Sequence, residues 1–175
     1  MRSHEEHRRE AAFPLKFSIL TVSTSRYENR DQKDVTGDVA EEILRKSGNE
    51  VVERDICPDD PAMIRNAVMR MIEKSDVVVV CGGTGIHPQD LTVEAVKPIF
   101  EREITGFGEI FRFLSYAEIG PAAMLSRTTA GVVKKTIVYL LPGSPDAVKL
   151  ALEKIIIPES AHAVWTARGY SKRRN

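Results

Sequence analysis

The chain has 175 residues, 42% hydrophobic and 29% charged, which is an ordinary globular composition and too apolar for a disordered chain. Its 25 Lys+Arg balance its 25 Asp+Glu, and a net charge of zero argues against a generalised nucleic-acid binder. The longest apolar run, from Val77 to Cys81, falls far short of the ~18 residues needed to cross a bilayer. Two cysteines, Cys57 and Cys81, no Asn-x-Ser/Thr acceptor and a charged rather than greasy N-terminal stretch together predict a cytoplasmic, reduced protein.

Residues 1–14 carry charges and two histidines with no apolar period, and read as a polar tail. Phe17-Ser18-Ile19-Leu20-Thr21-Val22 reads as a buried strand, stopped by Ser23-Thr24-Ser25. The polar stretch 26–34 is long for a loop. A helix follows, with Thr36 as its expected cap, Val39, Ala40, Ile43 and Leu44 on its apolar face, and Gly48 just past its end. Residues 50–57 form a second strand, closed by Pro58-Asp59-Asp60. Asp60 before Pro61 combines a side-chain cap with proline at the first helical position. Ile64, Ala67, Val68, Met71 and Ile72 then repeat with helical spacing.

Val77-Val78-Val79-Val80-Cys81 is apolar at every position, so neither face of this strand looks at water. That belongs to a parallel sheet covered on both sides. Strand and helix alternate, which predicts an α/β fold: a three-layer, doubly wound, mostly parallel sheet with helices on both faces. A helix is expected from near Thr92, capped by that residue and ended or kinked at Pro98. Another is expected over residues 106–117, with Phe107, Ile110, Phe111 and Leu114 on one face. Strands 131–133 and 136–141 flank Lys134-Lys135 as a tight hairpin. Ser144, with Pro145 behind it, caps a helix bearing Val148, Ala151, Leu152 and Ile155. A separate short helix over 158–167 precedes a basic tail, 168–175. Residues 15–167 read as one domain, without internal repeats.

In an open parallel sheet, ligands bind beyond the carboxyl ends of the strands. Four strands here end in unusual turns: at residues 23–25, 58–60, 82–85 and 142–145. Taken singly these turns satisfy local backbone demands; parallel strands would gather all four on one rim. Gly82-Gly83-Thr84-Gly85 follows a buried strand and lets successive backbone N–H groups face an anion. It is neither a Walker A loop, since no Lys-Ser/Thr follows, nor the dinucleotide fingerprint, whose third glycine would fall at His87. Asp90 lies close behind. Two unit charges at about 4 Å repel by roughly 4 kcal/mol at an effective dielectric near 20, so a carboxylate beside a phosphate nest calls for a cation. Mg²⁺, held by one or two carboxylates and phosphate oxygens, removes the conflict, and Asp59 supplies a second carboxylate. Cys81 reads as core rather than nucleophile, and His87 as a loop residue without a partner.

Thr21-Val22-Ser23, Asp34-Val35-Thr36-Gly37, Pro58-Asp59, Gly82-Gly83-Thr84-Gly85 with Asp90-Leu91-Thr92, Ser126-Arg127 and Pro142-Gly143-Ser144-Pro145 occur in order. Together they resemble the MoaB/Mog molybdopterin-binding family over about residues 17–165. Gly106-Phe107-Gly108-Glu109, Ser126-Arg127 and Ala130-Gly131 are most similar to its MoaB branch. The resemblance implies molybdenum or tungsten cofactor synthesis, in which molybdopterin is adenylylated by Mg-ATP and pyrophosphate is released. By motif position it implies Asp59 and Asp90 as catalytic or Mg²⁺-coordinating acids. It implies Ser23, Ser25, Gly82, Gly83, Thr84, Gly85, Thr92, Pro142, Gly143 and Ser144 as the pterin and nucleotide pocket. It further implies a homo-oligomer, trimer or hexamer, and a downstream metal-insertion enzyme that takes the product. The family often has Arg directly before the aspartate of the glycine-turn motif, where this chain has Gln89. A neutral amide adds no charge there, which keeps a non-catalytic molybdopterin binder as the alternative.

Overall fold

A computed structural model describes residues 14–169. The expected tails lie outside them, apart from Pro14, Arg168 and Gly169. The elements in chain order are β1 (Lys16–Val22), α1 (Thr24–Glu28), α2 (Val35–Lys46), β2 (Glu50–Cys57), α3 (Pro61–Met71), β3 (Val77–Cys81) and α4 (Thr92–Val96). A short β4 (Arg102–Glu103) then leads to α5 (Thr105–Ile119), β5 (Thr129–Val133), β6 (Thr136–Leu141), α6 (Pro145–Ala151) and α7 (Ile157–Ala167). The sheet runs β2-β1-β3-β6-β5-β4. The first four strands in that order are mutually parallel; at one edge β5 runs antiparallel to β6, and β4 antiparallel to β5.

Side chains alternate across each strand, so β1 and β3 feed two cores. Phe17, Ile19, Val77, Val79 and Cys81 pack with Ala40, Leu44, Phe107, Phe111, Val148 and Leu152 on one face. Leu20, Val22, Val78 and Val80 pack with Ile64, Val68, Met71, Ala95 and Val96 on the other. All five residues of β3 are buried, as a strand with a helix layer on each side requires. The expected three-layer α/β architecture is the one observed.

Local physics explains most boundaries. The Asp60 side chain accepts from Met63 N at 2.8 Å, and Pro61 opens α3. Gly48, at φ 83°, follows α2 in the left-handed conformation that ends helices. Lys134 and Lys135 close the β5–β6 hairpin at φ 53° and 105°, the backbone that a two-residue turn between twisted strands demands.

Five expectations are corrected. Residues 26–34 are not all loop, since α1 reaches Glu28. Asp34, not Thr36, caps α2, accepting from Gly37 N at 3.0 Å. Thr92 does not cap α4 but begins it, with its hydroxyl turned elsewhere. Ile110 is 52% exposed and lies off the buried face of α5. The C-terminal helices are not separate, because a π-helical turn over Leu152–Ile156 joins α6 to α7. The wider turn accommodates Pro158, which has no N–H to donate and whose ring would press on the Lys154 carbonyl in a regular helix. Arg168, the first residue of the expected basic tail, pairs its guanidinium with Asp76.

Candidate functional site

The parallel register places the carboxyl ends of β2, β1, β3 and β6 on one rim, so the four unusual turns do converge. The connections leave β1 in one direction to β2 and return past it to β3. The β1/β3 boundary is therefore the topological switch point, where such sheets open a crevice.

The glycine turn after β3 is built at close quarters. Gly82 and Gly83 sit at φ 113° and 66°. A Cβ on Gly82 would lie 2.3 Å from Val22 O, and one on Gly83 would lie 2.3 Å from Thr92 Oγ1. Gly82 N donates to Leu141 O at 2.9 Å, which ties the turn to the end of β6. Every carbonyl of the turn accepts a bond. Thr92 Oγ1 donates to Gly82 O at 2.7 Å and Thr92 N to Gly83 O at 3.0 Å. Arg127 N donates to Thr84 O at 2.9 Å and Arg127 Nε to Gly85 O at 2.7 Å. By contrast, the amides of Gly83, Thr84 and Gly85 have no acceptor among the described residues. Those three residues line a cavity of about 260 Å³ with Asp90, Leu125, Ser126, Pro142 and Gly143. Thr84 is only 2% exposed, and its hydroxyl has no partner among the described residues.

Asp90 stands against the turn, since a Cβ on Gly85 would come within 2.7 Å of Asp90 Oδ2. His87 N donates to that oxygen at 2.9 Å, and Asp90 N donates back to His87 O at 2.8 Å. His87 is not partnerless, because Gln89 N donates to its Nδ1 at 3.2 Å. Asp59 belongs to the neighbouring part of the rim. Its Oδ2 accepts from Thr24 N at 3.1 Å and from Thr24 Oγ1 at 2.7 Å. β1 lies between β2 and β3, which puts the two strand ends about 10 Å apart. The structure therefore groups Gly83, Thr84, Gly85, Asp90, Pro142 and Gly143 in one cavity. Asp59, Ser23 and Ser25 sit across the end of β1.

Three expected ligand hydroxyls already do structural work. Ser23 Oγ accepts from Arg26 N at 3.5 Å and lies 3.3 Å from Ser25 Oγ. Ser144 Oγ caps α6, accepting from Ala147 N at 3.3 Å. The Thr92 hydroxyl holds Gly82. The turn after β6 is held from α2, where Thr36 Oγ1 donates to Gly143 O at 2.7 Å. Gly143 packs on the first turn closely enough that a Cβ on it would sit 3.4 Å from Gly82 Cα.

No cysteine chemistry competes for the site. Burial, followed by the charges of Asp55 and Asp59, pushes the Cys57 thiol up to about 12. Burial also raises the fully buried Cys81. Sequence reasoning quoted Arg127 without giving it a role. Its guanidinium also donates to Asp90 O at 2.8 Å and pairs with Glu94, whose carboxyl that bond holds below its ordinary value. Arg127 and Gly85 are 42 positions apart in the chain, so no local pattern links them.

Comparison with known proteins identifies the family and the fold. Residues 18–162 match the family described as probable molybdopterin binding domain. Molybdenum cofactor biosynthesis protein B of Bacillus subtilis (strain 168) is 44% identical over 169 residues, covering 95% of this chain and 98% of that protein. The protein of the same name from Staphylococcus aureus (strain COL) is 42% identical over 154 residues, covering 86% and 90%. A crystal structure of a molybdenum cofactor biosynthesis protein B superposes with a TM-score of 0.84 at 39% identity, covering 90% of this chain and 98% of the other. The tungsten cofactor synthesizing protein MoaB from Pyrococcus furiosus superposes at 0.82 with 41% identity, covering 89% and 98%.

Proposed function

This chain belongs to the family of probable molybdopterin binding domains, and from that premise we propose that it serves molybdenum or tungsten cofactor synthesis by adenylylating molybdopterin with Mg-ATP. The observation that supports this most is the row of backbone amides at Gly83, Thr84 and Gly85 with Asp90 beside it in one cavity. Amide donors suit a phosphate, and a carboxylate among them suits a phosphate that arrives with a cation.

In this reading the terminal phosphate of molybdopterin is its own nucleophile. An oxygen of that phosphate forms the new bond to the α-phosphorus of ATP, and the bond to pyrophosphate breaks with its electron pair on the leaving group. The chain needs no nucleophilic side chain, only positioning and charge neutralisation. Asp59 has one carboxylate oxygen engaged by Thr24 at the start of α1, Asp90 has one engaged by His87 in its own loop, and each has a second oxygen without a partner among the described residues. Through those free oxygens they would hold Mg²⁺ together with phosphate oxygens. Bound there, Mg²⁺ would supply the charge neutralisation that adenylyl transfer requires at the α-phosphate. Ser23, Ser25, Ser144 and the turn at Pro142 and Gly143 form the surrounding walls on which pterin and nucleotide lie.

The test is incubation with molybdopterin, ATP and Mg²⁺, with adenylylated pterin and pyrophosphate as the readout. The parent chain is expected to form both. Asp90→Asn should lower turnover by about 100-fold or more while leaving most pterin binding in place, and Asp59→Asn should behave similarly. Variants that turn over like the parent would remove the assigned roles. A chain that binds pterin and releases no pyrophosphate at any Mg²⁺ concentration would be the non-catalytic binder that Gln89 suggests.

A further inference from the structure

We infer that Arg127 and Thr92 are positioning residues that aim the amides of the glycine turn at an anion, an assignment that rests on the site proposed above. Every peptide bond among the described residues is trans, and across a trans peptide the C=O of one residue and the N–H of the next point in opposite directions. Each carbonyl bond therefore also orients an amide. Thr92 Oγ1 on Gly82 O turns Gly83 N–H away from α4. Thr92 N on Gly83 O does the same for Thr84 N–H. Arg127 N on Thr84 O turns Gly85 N–H away from Arg127, and Arg127 Nε on Gly85 O turns Ile86 N–H likewise. None of these four amides has an acceptor among the described residues.

The guanidinium fork performs a second task. Its Nη2 donates to Asp90 O at 2.8 Å, so one side chain sets the spacing between the amides and the neighbouring carboxylate. Glu94 pairs with the same guanidinium and offsets its charge. Arg127 thus orients dipoles rather than supplying its own charge to the ligand. A lysine can place one point charge there but cannot reach Gly85 O and Asp90 O together in a planar fork.

The experiment titrates the full chain with inorganic phosphate, and separately with pyrophosphate, while the backbone amide resonances of Gly83, Thr84, Gly85 and Ile86 are followed. In the parent these four are expected to shift saturably. Arg127→Lys keeps the main-chain bond to Thr84 O and removes the guanidinium bonds to Gly85 O and Asp90 O, so the Ile86 amide should already be displaced before any anion is added, and phosphate should bind at least about tenfold more weakly. Phosphate binding within about twofold of the parent, with the same four amides responding, would overturn the assignment. So would a parent whose four amides ignore both anions. If Arg127→Lys does not fold, Thr92→Val removes only the hydroxyl bond to Gly82 O in a buried, nearly isosteric exchange. It should displace Gly83 first and weaken phosphate several-fold, and parity with the parent again overturns the claim. Phosphate binding requires no adenylyl transfer, so the two readings fail separately. A parent that holds phosphate on these amides yet never releases pyrophosphate from ATP sinks only the catalytic one.

Discussion

Asp34 is 6% exposed and ties three elements together. Thr21 Oγ1 donates to its Oδ2 at 2.9 Å, Arg54 Nη2 donates to the same oxygen at 2.9 Å, and Gly37 N donates to Oδ1 at 3.0 Å. The neighbouring Gly37 must be glycine, because a Cβ there would lie 2.1 Å from Asp34 Oδ2 and 2.6 Å from Arg54 Nε. Thr36, between them, holds the turn after β6. The motif Asp34-Val35-Thr36-Gly37 is thus a structural joint whose output is the position of Gly143. Asp34→Ala should destabilise the fold by about 3 kcal/mol, because it leaves two buried donors, Thr21 Oγ1 and Gly37 N, without their acceptor and removes one of the three carboxylates that pair with Arg54. Asp34→Asn, which keeps an acceptor but removes the charge opposite Arg54, should cost less. Urea unfolding of the two variants checks the order, and equal losses would show that the charge, not the retained acceptor, carries the joint.

Among elements, the β5–β6 hairpin is the one whose residues oppose its backbone. Both turn positions are lysine at positive φ, 53° and 105°, where a Cβ crowds the adjacent carbonyl and glycine or asparagine is favoured. Lys134 recovers part of the cost through Glu73 at 2.7 Å, an exposed pair of small value, and its N–H donates to Glu101 Oε1 at 3.1 Å. No ion pair involves Lys135 among the described residues. Lys135→Gly should therefore stabilise the chain by roughly 0.5–1 kcal/mol, seen as a higher thermal midpoint; a lower midpoint would mean the turn is not strained at that residue. The hairpin itself was legible from two β-rich runs around a two-residue gap. The joined C-terminal helices were not, because Pro158 reads as a boundary and only packing against the sheet shows that the helix widens around it. Ile110 was misplaced for a related reason. An apolar residue at helical spacing identifies a stripe, and which part of the stripe meets the sheet depends on the helix's rotation in the fold.

For the whole molecule, the exposed apolar surface calls for an explanation. Ile110, Phe113, Tyr116 and Ile119 recur every three residues along α5 at 52%, 77%, 61% and 61% exposure, and Met124 and Leu125 follow at 76% and 47%. Surface of this kind in a folded chain marks an interaction face, and a second copy of the chain is the occupant expected from the family resemblance. Leu125 belongs both to this face and to the cavity beside the glycine turn. A copy seated there would border the site. Phe113→Asp should convert the expected trimer or hexamer to a smaller species in sedimentation, with unchanged secondary structure. An unaltered mass, or a parent that is already a single chain, would remove this reading of the face.

Periodicity, capping residues and the glycine turn are local properties of the chain, and they were enough to determine the α/β class, both helix layers and the position of the glycine turn at the carboxyl end of β3. Strand order was beyond them. It seats β1 between β2 and β3, which separates Asp59 from Asp90 by a strand. It also brings Thr36 to Gly143 across 107 positions and Arg127 to Gly85 across 42. Those contacts come from the way a twisted sheet buries both faces at once, a constraint that acts on all strands together and leaves no trace in any one segment.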